Sequence, residues 1–445
     1  MHWFENYLSD RNQKVVLQNC LSEVGNIKGG VPQGSVLGPL LFILYINDIT
    51  EDIQSLSRLF ADDTSLSYSS SNINEIEQRL NSDITKIYNW STKWLVDFNP
   101  QKTKCMLFST NQGNIKPQIL FNNEDVEFVV NHKHLGVTFS SNCKWHCHIQ
   151  NILKSTSGQL SMLRKFKIKL NRENLEKIYF TYIRPLLEYA CELWDGCTIL
   201  DLNKIEQIQH EAARIVTGLP KFASIESLYF ETGWEPLHSR RHSRKLNLFY
   251  KIRNNDSPLY LYDCLLPFTR EENELNLRNQ TEFRNPFTRL QLFANSFFPS
   301  TIKSWNKLSP QLRNAPTLNR FKQANKNHTI KPPKFYIAGC RILNIIHTRL
   351  RHRSSSLNAD LFRVHLANDP GCICGCAFED AIHYILECCL YNEAREELKL
   401  RLVFLNELKI EVLLFGDDTL TEMQNLQIFK SVQLYIKRTK RFNHL

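Results

Sequence analysis

The chain has 445 residues, more than one ordinary domain, and its apolar (42%) and aromatic (11%) fractions suffice for packed cores, which excludes a disordered polypeptide. Its formal charge of +10, from 55 Lys and Arg against 45 Asp and Glu, is modest and spread out, permitting a nucleic-acid partner without demanding one. The opening MHWFENYLSD is no signal peptide, Leu37 to Ile46 is too short an apolar run to span a bilayer, and five of the 13 cysteines crowd between Cys372 and Cys389. These features exclude a secreted disulfide scaffold and a membrane anchor, and favour an intracellular, reducing compartment.

In chain order, a short amphipathic start (Trp3, Phe4, Tyr7, Leu8) leads to a turn at Gly29 and Gly30 and then to a buried helix over about Leu37 to Ile46. RLFADDTSLSYSS, with Leu59 and Phe60 ahead of two aspartates, predicts strand, tight turn, strand. Ile76, Leu80, Ile84, Ile87 and Trp94 recur at helical spacing, predicting a helix that ends near Asn99 and Pro100. KCMLFST, PQILFNNEDVEFVV and HLGVTF are strand candidates, the second with a hairpin turn at Asn122 and Asn123. Helical stripes follow at Leu175, Ile178, Tyr182, Leu186 and at Ile205, Ile208, Ala212, Ile215. Residues 253–335, rich in Asn, Pro and Ser, predict loops with short helices, and two more helical patterns lie at about 380–412 and 420–440.

Asp62 and Asp63 carry the strongest chemical signal. Two adjacent carboxylates at a hairpin tip repel each other, and divalent cations such as Mg2+ relieve that repulsion by taking hard oxygen ligands. Two such ions about 4 Å apart activate an attacking hydroxyl and stabilise a leaving oxygen. For an arbitrary Asp pair a solvated turn is the commoner explanation, so the neighbouring residues decide.

GGVPQGSVLGPLLFILYINDI (Gly29 to Ile49), ahead of Phe60-Ala61-Asp62-Asp63, resembles the paired motifs of non-LTR retrotransposon reverse transcriptases. WSTKWLVDFNPQKTKCMLFS, with Asn99, Lys102, Thr103 and Lys104, is similar to the next motif of that family, and HKHLGVTFSSNCKWHCHI to the strand pair leading into its thumb. IYFTYIRPLLEYACELW, IEQIQHEAARIVTG and SFFPSTIKSWNKL resemble the helical region of jockey-type elements. The resemblance implies an α+β fold: a partial polymerase palm, an antiparallel sheet with helices, over 1–140, then a helical thumb over 141–222. A loop-rich helical connection (223–355) and a mostly helical Cys/His region (356–445) complete it. It further implies RNA-directed DNA synthesis with Mg2+ on Asp62 and Asp63, an RNA template, a DNA primer at a nicked target and deoxynucleotides. Pro32, Gln33 and Gly34 would face the nascent base pair, and Lys102 or Lys104 the triphosphate.

The family's first motif is expected to bring a third, strand-borne Asp well before Gly30. The sole Asp ahead of Gly30 is Asp10 in YLSDRNQ, which resembles a connecting segment. A truncated element or a partial gene model, inactive by itself and without fingers or endonuclease, is therefore expected. The alternatives are a non-catalytic RNA- or DNA-binding module and a relic.

PGCICGCAFEDAIHYILECCLY sets Cys372, Cys374, His383 and Cys388 as C-x-C-x8-H-x4-C, able to ligate one Zn2+ tetrahedrally. Its C-x-C half is tight, so Cys376 is a rival ligand, while Cys389 is assigned to the core. The set is similar to a Cys/His knuckle found near the C terminus of many related elements. LRKFKIKL (Leu163 to Leu170), HSRRHSRK (His238 to Lys245) and HTRLRHR (His347 to Arg353) are candidate phosphate contacts, and KRTKR (Lys437 to Arg441) a candidate nuclear signal.

Overall fold

Helix and strand alternate at first and helix alone continues, so residue patterning already separates two regimes. The computed structural model describes residues 2–27, 29–109, 116–265, 282–326 and 330–442. They form two units, Met1–Lys133 with Ser140–Asn142, and His134–Phe139 with Cys143–Leu445. Parts of the Asn-, Pro- and Ser-rich stretch, 266–281 and 327–329, lie outside the described residues.

In the first unit the Ile73–Trp94 helix is the organising element. The Asn72 side chain accepts from the Asn74 amide at its start. Leu95, in a left-handed conformation, ends it about four residues before the expected Asn99 and Pro100. Its Leu80, Ile84 and Tyr88 pack on a small core of Ile119, Phe121 and Val126. Leu120–Phe121 pairs with Glu124–Asp125 through Asn122 and Asn123, both at positive φ, as a primed two-residue hairpin turn requires. In place of the expected antiparallel sheet the described residues form separate two-stranded ladders, and the pairing of Lys104–Cys105 with Glu127–Phe128 is parallel.

Gly38–Tyr45 is helical as expected but not buried. Leu40, Ile43 and Leu44 are 53%, 53% and 64% exposed, and in this run the covered positions are Gly38 and Ile46. A helix apolar on every face needs cover on every face, and the first unit's core gathers around the Ile73–Trp94 helix instead.

The second unit is helical. His146–Lys165 and Ile199–Thr217 pack around Leu163, Leu175, Tyr179, Trp194 and Ala212, a second core surrounds Trp305 and Phe321, and a third surrounds Tyr384, Phe429 and Val432. The stripe that is buried after Arg172 is Leu175, Tyr179, Ile183, Leu187, whereas Tyr182 and Leu186 face outward. The shift has a local cause. Pro185 has no N–H to continue the α-helical ladder, and Tyr179–Ile183 is a π-turn in which the Arg184 amide reaches back to the Tyr179 carbonyl.

Glu231, fully buried on Ile225–Thr232, ties three helices together. It accepts from Arg172 Nη1 at 3.0 Å, pairs with Arg351, and meets His352 Nε2 at 3.0 Å. Burial opposes its charge, but Arg351, His352 and Arg172 outweigh that penalty and hold the carboxyl far below the usual range. One turn before Arg351, the wholly buried His347 places Nε2 3.0 Å from the Leu413 carbonyl, while Nδ1 has no partner. Burial, then the Arg351 charge, lowers its pKa to about 3.

The unfolded chain therefore takes up a proton on His347 near pH 6.5 that the fold refuses until about pH 3. Stability of the second unit should fall as pH drops through that window, by roughly 1.4 kcal/mol per unit at full difference. Denaturant melts of wild type and His347→Met at pH 7, 5.5 and 4.5 test this: the variant should lose part of the slope. Equal slopes would show that His347 is not the titrating group.

Candidate metal centres

The Asp pair sits where the alternation placed it. Leu56–Phe60 and Asp63–Ser67 form an antiparallel ladder in which Phe60 faces Asp63, leaving Ala61 and Asp62 as the two-residue turn. Ala61 takes φ of 51°, which primed turns demand of their first position and glycine adopts more readily than alanine. Asp62 and Asp63 are both exposed. Among the described residues no third acidic, His or Cys ligand gathers with them.

An anchor that sequence patterning did not reveal holds this hairpin. Asp83, wholly buried on the Ile73–Trp94 helix, accepts from the Ser55 amide at 2.7 Å and the Gln54 amide at 3.2 Å, just before the first strand. Burial works against its charge, yet bonds from Ser55 and Gln54 and the nearby Lys86 keep the carboxyl below its ordinary pKa. Its partners are 28 and 29 residues away in sequence, so no local motif marks it.

The residues before the apolar helix form a turn. Ser35 Oγ bonds the Pro32 carbonyl at 2.8 Å and receives the Gly38 amide at 2.9 Å. Gly34 has φ of 81° with nothing within 4 Å of where a Cβ would stand, so backbone conformation rather than crowding calls for glycine. Pro32 is half-buried and Gln33 exposed. Of the two lysines, Lys104 is ion-paired with Glu127, whereas Lys102 remains exposed at the turn after Asn99.

The Cys/His set converges. The ligand atoms of Cys372, Cys374, His383 and Cys388 all lie within 4.8 Å of one another. Cys372 Sγ is 3.8 Å from Cys388 Sγ, and Cys374 Sγ is 3.2 Å from His383 Nε2. Zn–S bonds of about 2.3 Å at tetrahedral angles place two sulfurs roughly 3.8 Å apart. A turn closed by the Cys372 amide on the Cys376 carbonyl, with Gly375 at φ of 94°, folds the first two cysteines back on each other. His383 turns Nδ1 towards Glu387 at 3.6 Å, an arrangement that orients a ligating imidazole. Burial raises the Cys372 pKa and pushes Cys388 up to about 12, while the Cys376 amide helps lower Cys374 to about 7. Cys376 Sγ points instead to the Phe378 carbonyl at 3.6 Å, outside the cluster. Cys389, expected in the core, is exposed because it falls on the next short turn, Cys389–Tyr391.

Two of the basic runs are largely neutralised within the fold. Arg241 and Lys245 meet Asp195 at 2.8 and 3.2 Å, Arg244 meets Glu192 at 3.0 Å, and Arg240 pairs with Glu188. In the C-terminal run, Arg441 pairs with Glu379 at 2.6 Å and Arg438 with Glu397. No helix among the described residues is long and apolar enough to cross a membrane.

Residues 1–140 match the family model described as reverse transcriptase (RNA-dependent DNA polymerase). Similar curated proteins include the probable RNA-directed DNA polymerase from transposon BS of Drosophila melanogaster, 26% identical over 56% of this chain and 29% of that protein. The RNA-directed DNA polymerase from mobile element jockey of Drosophila funebris is 28% identical over 48% of this chain and 25% of its own length. The Pol polyprotein from type-1 retrotransposable element R1 2 of Nasonia vitripennis is 20% identical over 82% of this chain and 86% of its own. The chain thus spans under a third of the length of the first curated relatives it matches.

Asp83→Ala leaves two amides without their acceptor and should destabilise the first unit by about 1–3 kcal/mol. Because the carboxyl is held low, its contribution is present above about pH 4 and is lost as pH falls through the folded pKa. Hydrogen exchange should show the 56–67 ladder losing protection before the Ile73–Trp94 helix; unchanged protection would remove Asp83 from the anchoring role.

Proposed function

For a chain whose residues 1–140 are a reverse-transcriptase domain of the LINE-like, non-LTR kind, we propose that Asp62 and Asp63 hold the divalent cations of RNA-directed DNA synthesis. The observation that supports this is the Asp pair at the hairpin tip, Asp62 in the turn and Asp63 opening the next strand, both exposed and with no cationic side chain paired to them among the described residues. Mg2+ there would supply activation of a primer hydroxyl and stabilisation of the departing pyrophosphate oxygen. The protein's share is positional: Asp83 anchors the hairpin base, and Ala61 fixes the turn. Pro32, Gln33 and Gly34 form the turn against which the nascent pair would lie, and Lys102 is the exposed cation for a triphosphate, Lys104 being engaged with Glu127. Residues 1–140 act as palm, 141–222 as thumb, 223–355 as connection and 356–445 as a zinc-bearing tail. RNA, DNA and deoxynucleotides are the partners, with the nucleus as the place of work.

A polymerase centre of this type needs a third carboxylate, and among the described residues none gathers with Asp62 and Asp63. The expectation for these residues by themselves is that they do not polymerise. Binding RNA or DNA without polymerising is the second reading, favoured by the cations of the second unit that face no carboxylate.

For the tail, Cys372, Cys374, His383 and Cys388 hold one Zn2+, supported by the convergence of three thiols and an imidazole at tetrahedral spacing. The ion would join the Cys372–Cys376 turn to the segment from His383, a structural role.

Mn2+ titrated into labelled protein should broaden resonances around residues 60–64, and Asp62→Asn with Asp63→Asn should abolish this. Broadening centred elsewhere would remove the hairpin as the cation site. Primer extension by the purified 445-residue chain should give no product above that of the double variant; a clear difference would mean that the chain polymerises unaided. Metal analysis should find about one zinc per chain, falling severalfold in Cys388→Ser. Less than half an equivalent in wild type would refute the zinc centre.

A further inference from the structure

The cations of the second unit fall into two groups by what they face. Arg240, Arg241, Arg244 and Lys245 on Leu237–Arg253 face carboxylates, as described above. A second group faces backbone. Arg341 donates from Nε to the Lys167 carbonyl at 3.0 Å and from Nη2 to the Ile215 carbonyl at 2.8 Å, and Arg349 donates from Nε to the Gly218 carbonyl at 2.9 Å. Ile215 and Gly218 stand at the C-terminal end of the Ile199–Thr217 helix, where unpaired carbonyls concentrate partial negative charge. That end fixes two guanidinium groups but neutralises neither.

Lys167 joins them from the loop after the His146–Lys165 helix. Besides partial burial, the charges of Arg349, Arg341 and Arg164 all act on its ammonium and lower its pKa. Arg341 Nη1 is buried with no hydrogen-bond partner. Arg164, at the rim, has an ion pair with Glu211 stretched to 3.7 Å, and Glu211 also serves Arg214 at 2.9 Å. Among the described residues no carboxylate pairs with Lys167, Arg341 or Arg349. Glu176, itself paired with Arg172, acts on Arg341 from beyond pairing distance, and with no carboxylate in contact the gathered like charges cost stability that an entering anion relieves.

We propose that Lys167, Arg341 and Arg349, with Arg164 at the rim, form a binding site for a phosphate group. A phosphate oxyanion suits these donors: guanidinium forks already oriented by their backbone bonds leave Nη donors to offer, and a lysine adds a compact charge. The phosphate comes either from a nucleic-acid backbone or from a free phosphorylated molecule, and both present the same oxygens. The site lies wholly in the second unit and does not depend on the cation reading of Asp62 and Asp63.

Full-length wild type, Lys167→Gln and the control Lys169→Gln (an exposed lysine two residues on) are compared in two assays. Inorganic phosphate, against chloride at equal ionic strength, should raise the melting temperature of wild type and of Lys169→Gln but not of Lys167→Gln. A short single-stranded RNA should bind Lys167→Gln about three- to tenfold more weakly, with the salt slope reduced by roughly 0.7 for one lost contact. Phosphate protection alone assigns the site to a free phosphorylated molecule; weakened RNA binding assigns it to a backbone. Without added anion, Lys167→Gln should melt no lower than wild type, because it removes repulsion. Equal behaviour of wild type and Lys167→Gln in both assays would overturn the site, as would a lower melting temperature of Lys167→Gln without anion.

Discussion

Charge that is buried must be matched, and the Glu231 cluster shows what matching looks like in this fold. One carboxylate with no exposure takes Arg172, Arg351 and His352, and through them fixes the Arg172–Ile178, Ile225–Thr232 and Arg341–Arg351 helices against each other. Removing one partner of such a cluster typically costs about 3–5 kcal/mol, because the remaining charge stays buried and unpaired. Arg351 also lies 3.8 Å over the Tyr336 ring and donates to the Leu414 carbonyl at 2.6 Å, so the network reaches the C-terminal core as well. The helical unit is organised around satisfied charge.

Against that standard the places where charge is not matched stand out. Asp62 and Asp63 stand adjacent at a hairpin tip with no cation paired to them among the described residues, Lys167 stands among arginines, and three thiols and an imidazole converge within 4.8 Å. Like charges held together are destabilising, and each of the three sets has the ligand chemistry of a different class: hard oxygens for Mg2+, thiolates and imidazole for Zn2+, guanidinium and ammonium for phosphate. Net charge of +10 says none of this, since the basic runs at His238 to Lys245 and the unmatched cations contribute to it alike.

What sequence could reveal follows from how far apart interacting residues lie. The Asp hairpin, the Asn122–Asn123 turn and the Cys/His set were legible because their partners fall within about twenty residues and their spacing encodes their geometry. The HSRRHSRK run could not be read as neutralised, because Glu188, Glu192 and Asp195 lie 46 to 52 residues earlier. Asp83 and the Arg341–Lys167 bond, 174 residues apart, were invisible for the same reason. The stripe after Arg172 misled for another: a regular period cannot foresee the π-turn ahead of Pro185.

The Gly38–Tyr45 helix shows the converse limit. Its apolar composition is real, and composition alone predicts burial, yet Leu40, Ile43 and Leu44 face outward while polar Asp83 is fully covered. Burial is decided by which surfaces meet, and here the long Ile73–Trp94 helix meets the short 120–125 hairpin and the Gln54–Ser55 corner. An aspartate that accepts two amides loses little on burial, whereas an apolar helix without a facing surface gains nothing. The same logic explains why Asp83 is covered while Asp62 and Asp63 stay exposed: Asp83 has its donors in the fold, and the hairpin pair meets no buried donor among the described residues.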